Sequence, residues 1–120
     1  MTYTDIATML NSIGLPFAYY EFPDGTGIAP PFICFLFGAD NDFIADNSNY
    51  QRIRTLSVEL YTDNKDFELE QTVETALNNA GLVYSRDESY LNNERMYMVT
   101  YTTEVVITEP ITTENIVTEG

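Results

Sequence analysis

LSVELYTDNKDFELEQTVETAL, residues 56–77, changes its apolar period in mid-stretch, and that change decides the fold. Leu56, Val58 and Leu60 alternate with polar residues, the pattern of a half-buried strand with those three side chains inward. Leu69, Val73, Ala76, Leu77 and Ala80 then recur at helical spacing, and Gly81 supplies a stop. Around the junction lie four carboxylates, Asp63, Asp66, Glu68 and Glu70. Asp63 is predicted as the N-cap with Asp66 three residues on. Asp66 and Glu68 in the first turns oppose the positive end of the helix dipole, each by roughly 0.3–1 kcal/mol. The acids therefore begin a helix and need no chemistry to explain them. Glu70 and Glu74 are a mildly repulsive i, i+4 pair beside Phe67, and this trio is a candidate partner surface: an aromatic anchor flanked by acids that would meet a neighbour's Arg.

Upstream, Ile6, Met9, Leu10 and Ile13 mark a short amphipathic helix, with Thr2 and Asp5 as its capping pair and Gly14 then Pro16 as its stop. FAYYEF (residues 17–22) and FICFLF (residues 32–37) are strand-like, joined by the turn-rich PDGTGIAPP and read as a hairpin. The second run is apolar at every position, which predicts cover on both faces, a helix on one side and more protein on the other. Residues 38–50 form a polar, Asp- and Asn-rich loop that is a candidate partner contact, with Asp40, Asp42 and Phe43 as its candidate residues.

Downstream, residues 82–91 and 94–107 form a second hairpin with Asn92-Asn93 as a two-residue turn. Pairing Leu91 with Glu94 sets Tyr84 opposite Tyr101 and Glu88 opposite Tyr97. Tyr97, Val99, Tyr101, Val105 and Ile107 then share the apolar face, while Met96 and Met98 face away as further candidate contacts. Residues 108–120, TEPITTENIVTEG, read as a flexible tail, within which Ile111, Ile116 and Val117 offer a strand to a neighbour. The expected fold is one α+β domain over residues 1–107: two helices on a mainly antiparallel sheet of about five strands, in the order helix, hairpin, strand, helix, hairpin.

Composition narrows function. Five Lys and Arg against nineteen Asp and Glu leave a formal charge of −14, which repels a phosphate backbone. There is no histidine and one cysteine, Cys34, so zinc sites, Cys-His pairs, Ser-His-Asp triads and intramolecular disulfides are excluded by inventory. Cys34 lies in an apolar run without a basic neighbour and reads as a small buried hydrophobe. MTYTDIATML lacks the character of a secretion signal, and no run approaches the roughly 20 apolar residues of a membrane span. A soluble protein of a reducing cytoplasm fits. In GADNDFIADN, Asp40 and Asp42 match the first ligands of a calcium loop, but Ile44, Ala45 and Gln51 break the pattern. PDGTG lacks the lysine and the strand-to-helix setting of a phosphate loop. No metal, cofactor or catalytic residue is expected.

With these elements in order, the chain resembles the small tail-terminator or tail-completion proteins of long-tailed bacteriophages and prophages, particularly the short acidic versions from phages of Gram-positive bacteria. The similar segments are TYTDIATMLNSIGLPFAYYEFPDG, APPFICFLFGADNDFIADN, LSVELYTDNKDFELEQTVETAL and RMYMVTYTTEVVI, most of residues 2–107. The resemblance implies a non-enzymatic ring, typically of six subunits, in the tail or neck of a virion assembled in the host bacterial cytoplasm. It caps the tail tube, whose protein is one partner, and presents a surface to the head-tail connector, the other. No membrane is involved, and DNA passes an acidic lumen without sticking.

Two other readings stay open. An acidic inhibitor that mimics DNA to occupy a nuclease or restriction enzyme fits the charge, although its carboxylates should line one face. A head-closure or other connector component fits the same fold. A small carboxylate hydrolase rests only on the abundance of acids.

Overall fold

The computed structural model describes residues 1–22, 27–40, 43–44 and 50–108. Its elements are α1 (Tyr3–Ile13), β1 (Phe17–Tyr19), β2 (Phe32–Asp40), β3 (Phe43–Ile44), β4 (Tyr50–Thr62), α2 (Phe67–Asn79), β5 (Tyr84–Leu91) and β6 (Met96–Ile107). The fold is α+β, with two helices on a mostly antiparallel sheet in the order β1-β2-β4-β6-β5, and β3 pairs with β4 at one end. Among the described residues no helix is long and apolar enough to cross a membrane.

Helix α1 is capped as its sequence dictates. The Asp5 N–H donates to the Thr2 hydroxyl at 3.0 Å and the Thr2 N–H to the Asp5 carboxylate at 2.8 Å. Gly14 closes the helix in the left-handed conformation (φ 88°). Ile6, Met9, Leu10 and Ile13 are buried, and they meet Val73 and Leu77 of α2 in one core with the inner face of the sheet. That face is Ile33 and Phe35 from β2, Leu56, Val58 and Leu60 from β4, and Val99, Tyr101, Val105 and Ile107 from β6. Each fully buried aliphatic side chain there is worth roughly 1.5–3 kcal/mol. The amino terminus is tied to the sheet: the Met1 ammonium donates to the Val106 carbonyl at 3.1 Å and the Thr108 N–H to the Met1 carbonyl at 3.1 Å.

Four expectations need correction. First, β1 and β2 are no hairpin: they pair in parallel, Phe17 with Ile33 and Tyr19 with Phe35. Residues 20–31 are enough chain for the return crossing that a parallel pair requires. Tyr20 leaves the strand in the left-handed region (φ 69°), which ends β1 after three residues.

Second, α2 is capped by Asp66, which accepts from the Leu69 N–H at 3.0 Å, and not by Asp63. Strand β4 runs on to Thr62, paired with Tyr97, so residue 63 is still leaving the sheet when a cap there would have to turn. The other end follows the pattern: Gly81 (φ 77°) is left-handed, the Leu82 N–H reaches the Leu77 carbonyl at 3.0 Å, and the Gly81 N–H reaches that of Asn78 at 2.9 Å.

Third, the β5–β6 loop has four residues, 92–95, with Arg95 and neither Asn in the left-handed region (φ 56°). Leu91 pairs with Met96, Tyr84 with Thr103 and Glu88 with Val99. The slip from the expected register is two residues, an even number, so every side chain keeps its face. Fourth, residues 38–50 are not all loop: β2 extends to Asp40, and Phe43 and Ile44 pair with Gln51 and Tyr50.

Candidate functional site

The start of α2 and the inner face of β5–β6 build a charged cluster. Helix α2 turns Glu70 inward, where it is 4% exposed. Its two oxygens are taken by Lys65 Nζ at 2.5 Å and Arg86 Nη2 at 2.6 Å. The same two cations hold Glu88, at 2.6 Å and 3.0 Å, and Arg86 Nε lies 3.7 Å from Glu74. Behind them the fully buried Tyr101 donates its hydroxyl to Glu74 at 2.8 Å. The arginine that meets Glu70 and Glu74 is thus the chain's own Arg86, where the sequence had pointed to a neighbour's. Lys65 and Arg86 escaped the sequence reading because the bonds that join them to Glu70, and Lys65 to Glu88, span 5 to 23 residues. A signal was available: five cations among nineteen acids makes any Arg inside a strand pattern a search for carboxylates.

The cluster shifts its members. Hydrogen bonds from Lys65 and Arg86 hold Glu88 below the usual glutamate range. Partial burial opposes the charge on Lys65, but its bonds to Glu70 and Glu88 outweigh that and raise its pKa. Burial, reinforced by the Glu74 carboxylate, pushes Tyr101 well above the ordinary tyrosine value of 10.0, and on the opposite face burial and Glu59 do the same to Tyr61. The folded state therefore keeps protons that the unfolded chain releases above pH 10.0, so stability falls as pH rises past that point. Lys65 acts in the same direction, because its contribution is lost as pH passes through its raised value. Tyrosinate absorbance followed against pH should show Tyr61 and Tyr101 ionising only with unfolding. Titration of all nine tyrosines below the unfolding transition would contradict this.

Beside this cluster Phe67 stands 70% exposed, with Lys65 Nζ 5.1 Å from its ring centroid. It lies on the helix layer. Met96 and Met98 lie on the other side of the sheet, where Met98 pairs with Tyr61 and Met96 borders a cleft. Asp40 pairs with Arg54 at the far end of β2, Phe43 sits in β3, and Asp42 lies outside the described residues, as does the tail from residue 109. Phe67 and the two methionines thus lie on opposite sides of the sheet, and Glu70 is buried between the helix and the sheet.

The cleft, about 710 Å³, crosses the sheet face that carries no helix. Phe32 stacks on Tyr61 (4.9 Å between centroids, 23°), and Phe22 meets Phe32 edge-on at 5.3 Å. Cys34, 3% exposed, lies beneath, its thiol pushed up to about 11 by burial and by Glu59 and Glu21. The second cover expected over β2 is in part the chain's own segment around Tyr20, Phe22 and Ile28. No group of three metal-ligating side chains is assembled among the described residues.

No protein-family model matches the chain, and no curated protein does. Among solved structures, a chain from the virion of a native gene transfer agent particle matches with a TM-score of 0.57 and 13% identity, over 89% of this chain and 91% of that chain. Likeness at that identity is likeness of fold, and it extends over nearly the whole length of both chains.

Proposed function

We propose that this chain is a structural virion protein, with no catalytic role, of a long-tailed phage or prophage-like particle. In this reading it forms a ring that ends the tail tube and meets the head connector. The observation that carries it is the fold held in common, almost end to end, with a chain of a gene transfer agent virion. The order of segments that resembles tail terminators supports the finer assignment. So does the presence of exposed apolar side chains on opposite layers, Phe67 beyond the helices and Val106 on the open sheet face outside the cleft, since a ring needs two different contact surfaces on each subunit. A net charge of −14 suits a lumen through which DNA slides.

The DNA-mimic alternative draws less support. Glu70, Glu74 and Glu88 are bound to the chain's own cations and present no free row of phosphate-like charge. Deleting the gene in a particle-producing strain should yield tails of uncontrolled length and heads without tails in negative-stain images. Particles of normal length and normal joining would overturn the assignment.

A further inference from the structure

We propose that the cleft on the open sheet face is a docking site for an extended, basic segment of a different protein, taking an Arg or Lys side chain between aromatic walls with apolar neighbours along the floor. The walls are Phe22, Phe32 and Tyr61, and Met96 and Leu36 supply apolar floor and rim. Glu21, Glu59 and Glu94 line the same cleft, and among its described lining residues there is no Lys or Arg. Three of the chain's five cations are held elsewhere, on the helix-bearing face: Lys65 and Arg86 by the α2 acids, and Arg54 by Tyr3 and the Phe37 ring.

Charge chooses the occupant. The carboxylates act jointly on the cleft, since Glu21 and Glu59 both raise Cys34, and Glu59 and Glu94 both raise Tyr61. They are too dispersed to chelate a metal ion, whereas a guanidinium on an aliphatic stem can lie flat on an aromatic face and still reach a carboxylate. The volume suits a few residues of peptide. The chain's own residues 109–120 are excluded as occupant by sign, carrying Glu109, Glu114 and Glu119 and no Lys or Arg. Nucleic acid and anionic membrane are excluded by the same sign. The site is independent of the ring: a monomer would carry it as well.

The test is titration of the full chain, labelled with ¹³C at its methionine methyls, with acetyl-Leu-Arg-Phe-Arg-Leu-amide. Met96 reports the cleft, and Met9, on the buried face of α1, reports the core. The Met96 methyl is expected to shift saturably while Met9 stays still, and the same peptide with both arginines replaced by glutamate should leave both unmoved. The triple variant E21Q/E59Q/E94Q, which keeps the Tyr61 to residue 59 hydrogen bond possible, should bind about tenfold more weakly with Met9 unchanged. No Met96 shift, an equal response to the glutamate peptide, or undiminished binding by the triple variant would each overturn the proposal.

Discussion

Replacing Arg86 with alanine should lower the unfolding free energy by about 2 kcal/mol, although Arg86 itself is one-third exposed. The loss comes from what is left behind. Glu70 is 4% exposed, anchored in the first turns of α2, and without Arg86 it keeps only Lys65 for its two oxygens. Removing one partner of a buried pair costs about 3–5 kcal/mol when nothing else reaches the stranded charge. The remaining lysine and the partial solvent access of this corner reduce that. The double variant E70M/R86M removes the stranded charge and should recover most of the loss, because an apolar replacement no longer bears the desolvation cost. Urea unfolding of the two variants beside the parent settles it. A loss for R86A below about 0.5 kcal/mol, or a double variant less stable than R86A, would show that the cluster is surface decoration.

Replacing Phe67 with serine should leave the fold intact and weaken self-assembly by roughly 30-fold, the effect of losing about 2 kcal/mol at an aromatic anchor. The two halves follow from one number: with 70% of its surface exposed, Phe67 contributes little to the core but offers an uncovered aromatic face to a partner. Its setting favours a specific contact, since the neighbouring Lys65 is fixed by Glu70 and Glu88 and so holds the surface around the ring in place. Sedimentation over a range of concentrations measures assembly, and urea unfolding measures the fold. Unchanged association removes Phe67 from the interface; a large loss of stability shows that its exposed position has been misread.

What could be read from the residues was what short-range geometry decides. Thr2 with Asp5, the stop at Gly14, the alternation of Leu56, Val58 and Leu60, and the end at Gly81 each need only a few neighbours in sequence. What escaped was set by distant pairing. Asp63 and Asp66 are equally fit to cap a helix, and the choice falls to Asp66 because Thr62 is held in the sheet by Tyr97. Asn92-Asn93 looks like the better turn, yet the left-handed residue is Arg95, two steps on. The run at residues 17–22 has strand character but no mark of direction, and only its partner β2 makes it parallel. The exposure of Phe67 and the outward side of Met96 were legible from spacing, while the acidic aromatic cleft was invisible because its walls come from four distant parts of the chain.

The native mass, measured by light scattering behind a sizing column across a wide concentration range, with negative-stain images of every large species, tests the ring most directly. A closed ring with a central hole, at six times the 13.6 kDa of the chain, is the expected result. A strict monomer at every concentration, with no ring seen when purified tail tubes are added, contradicts it.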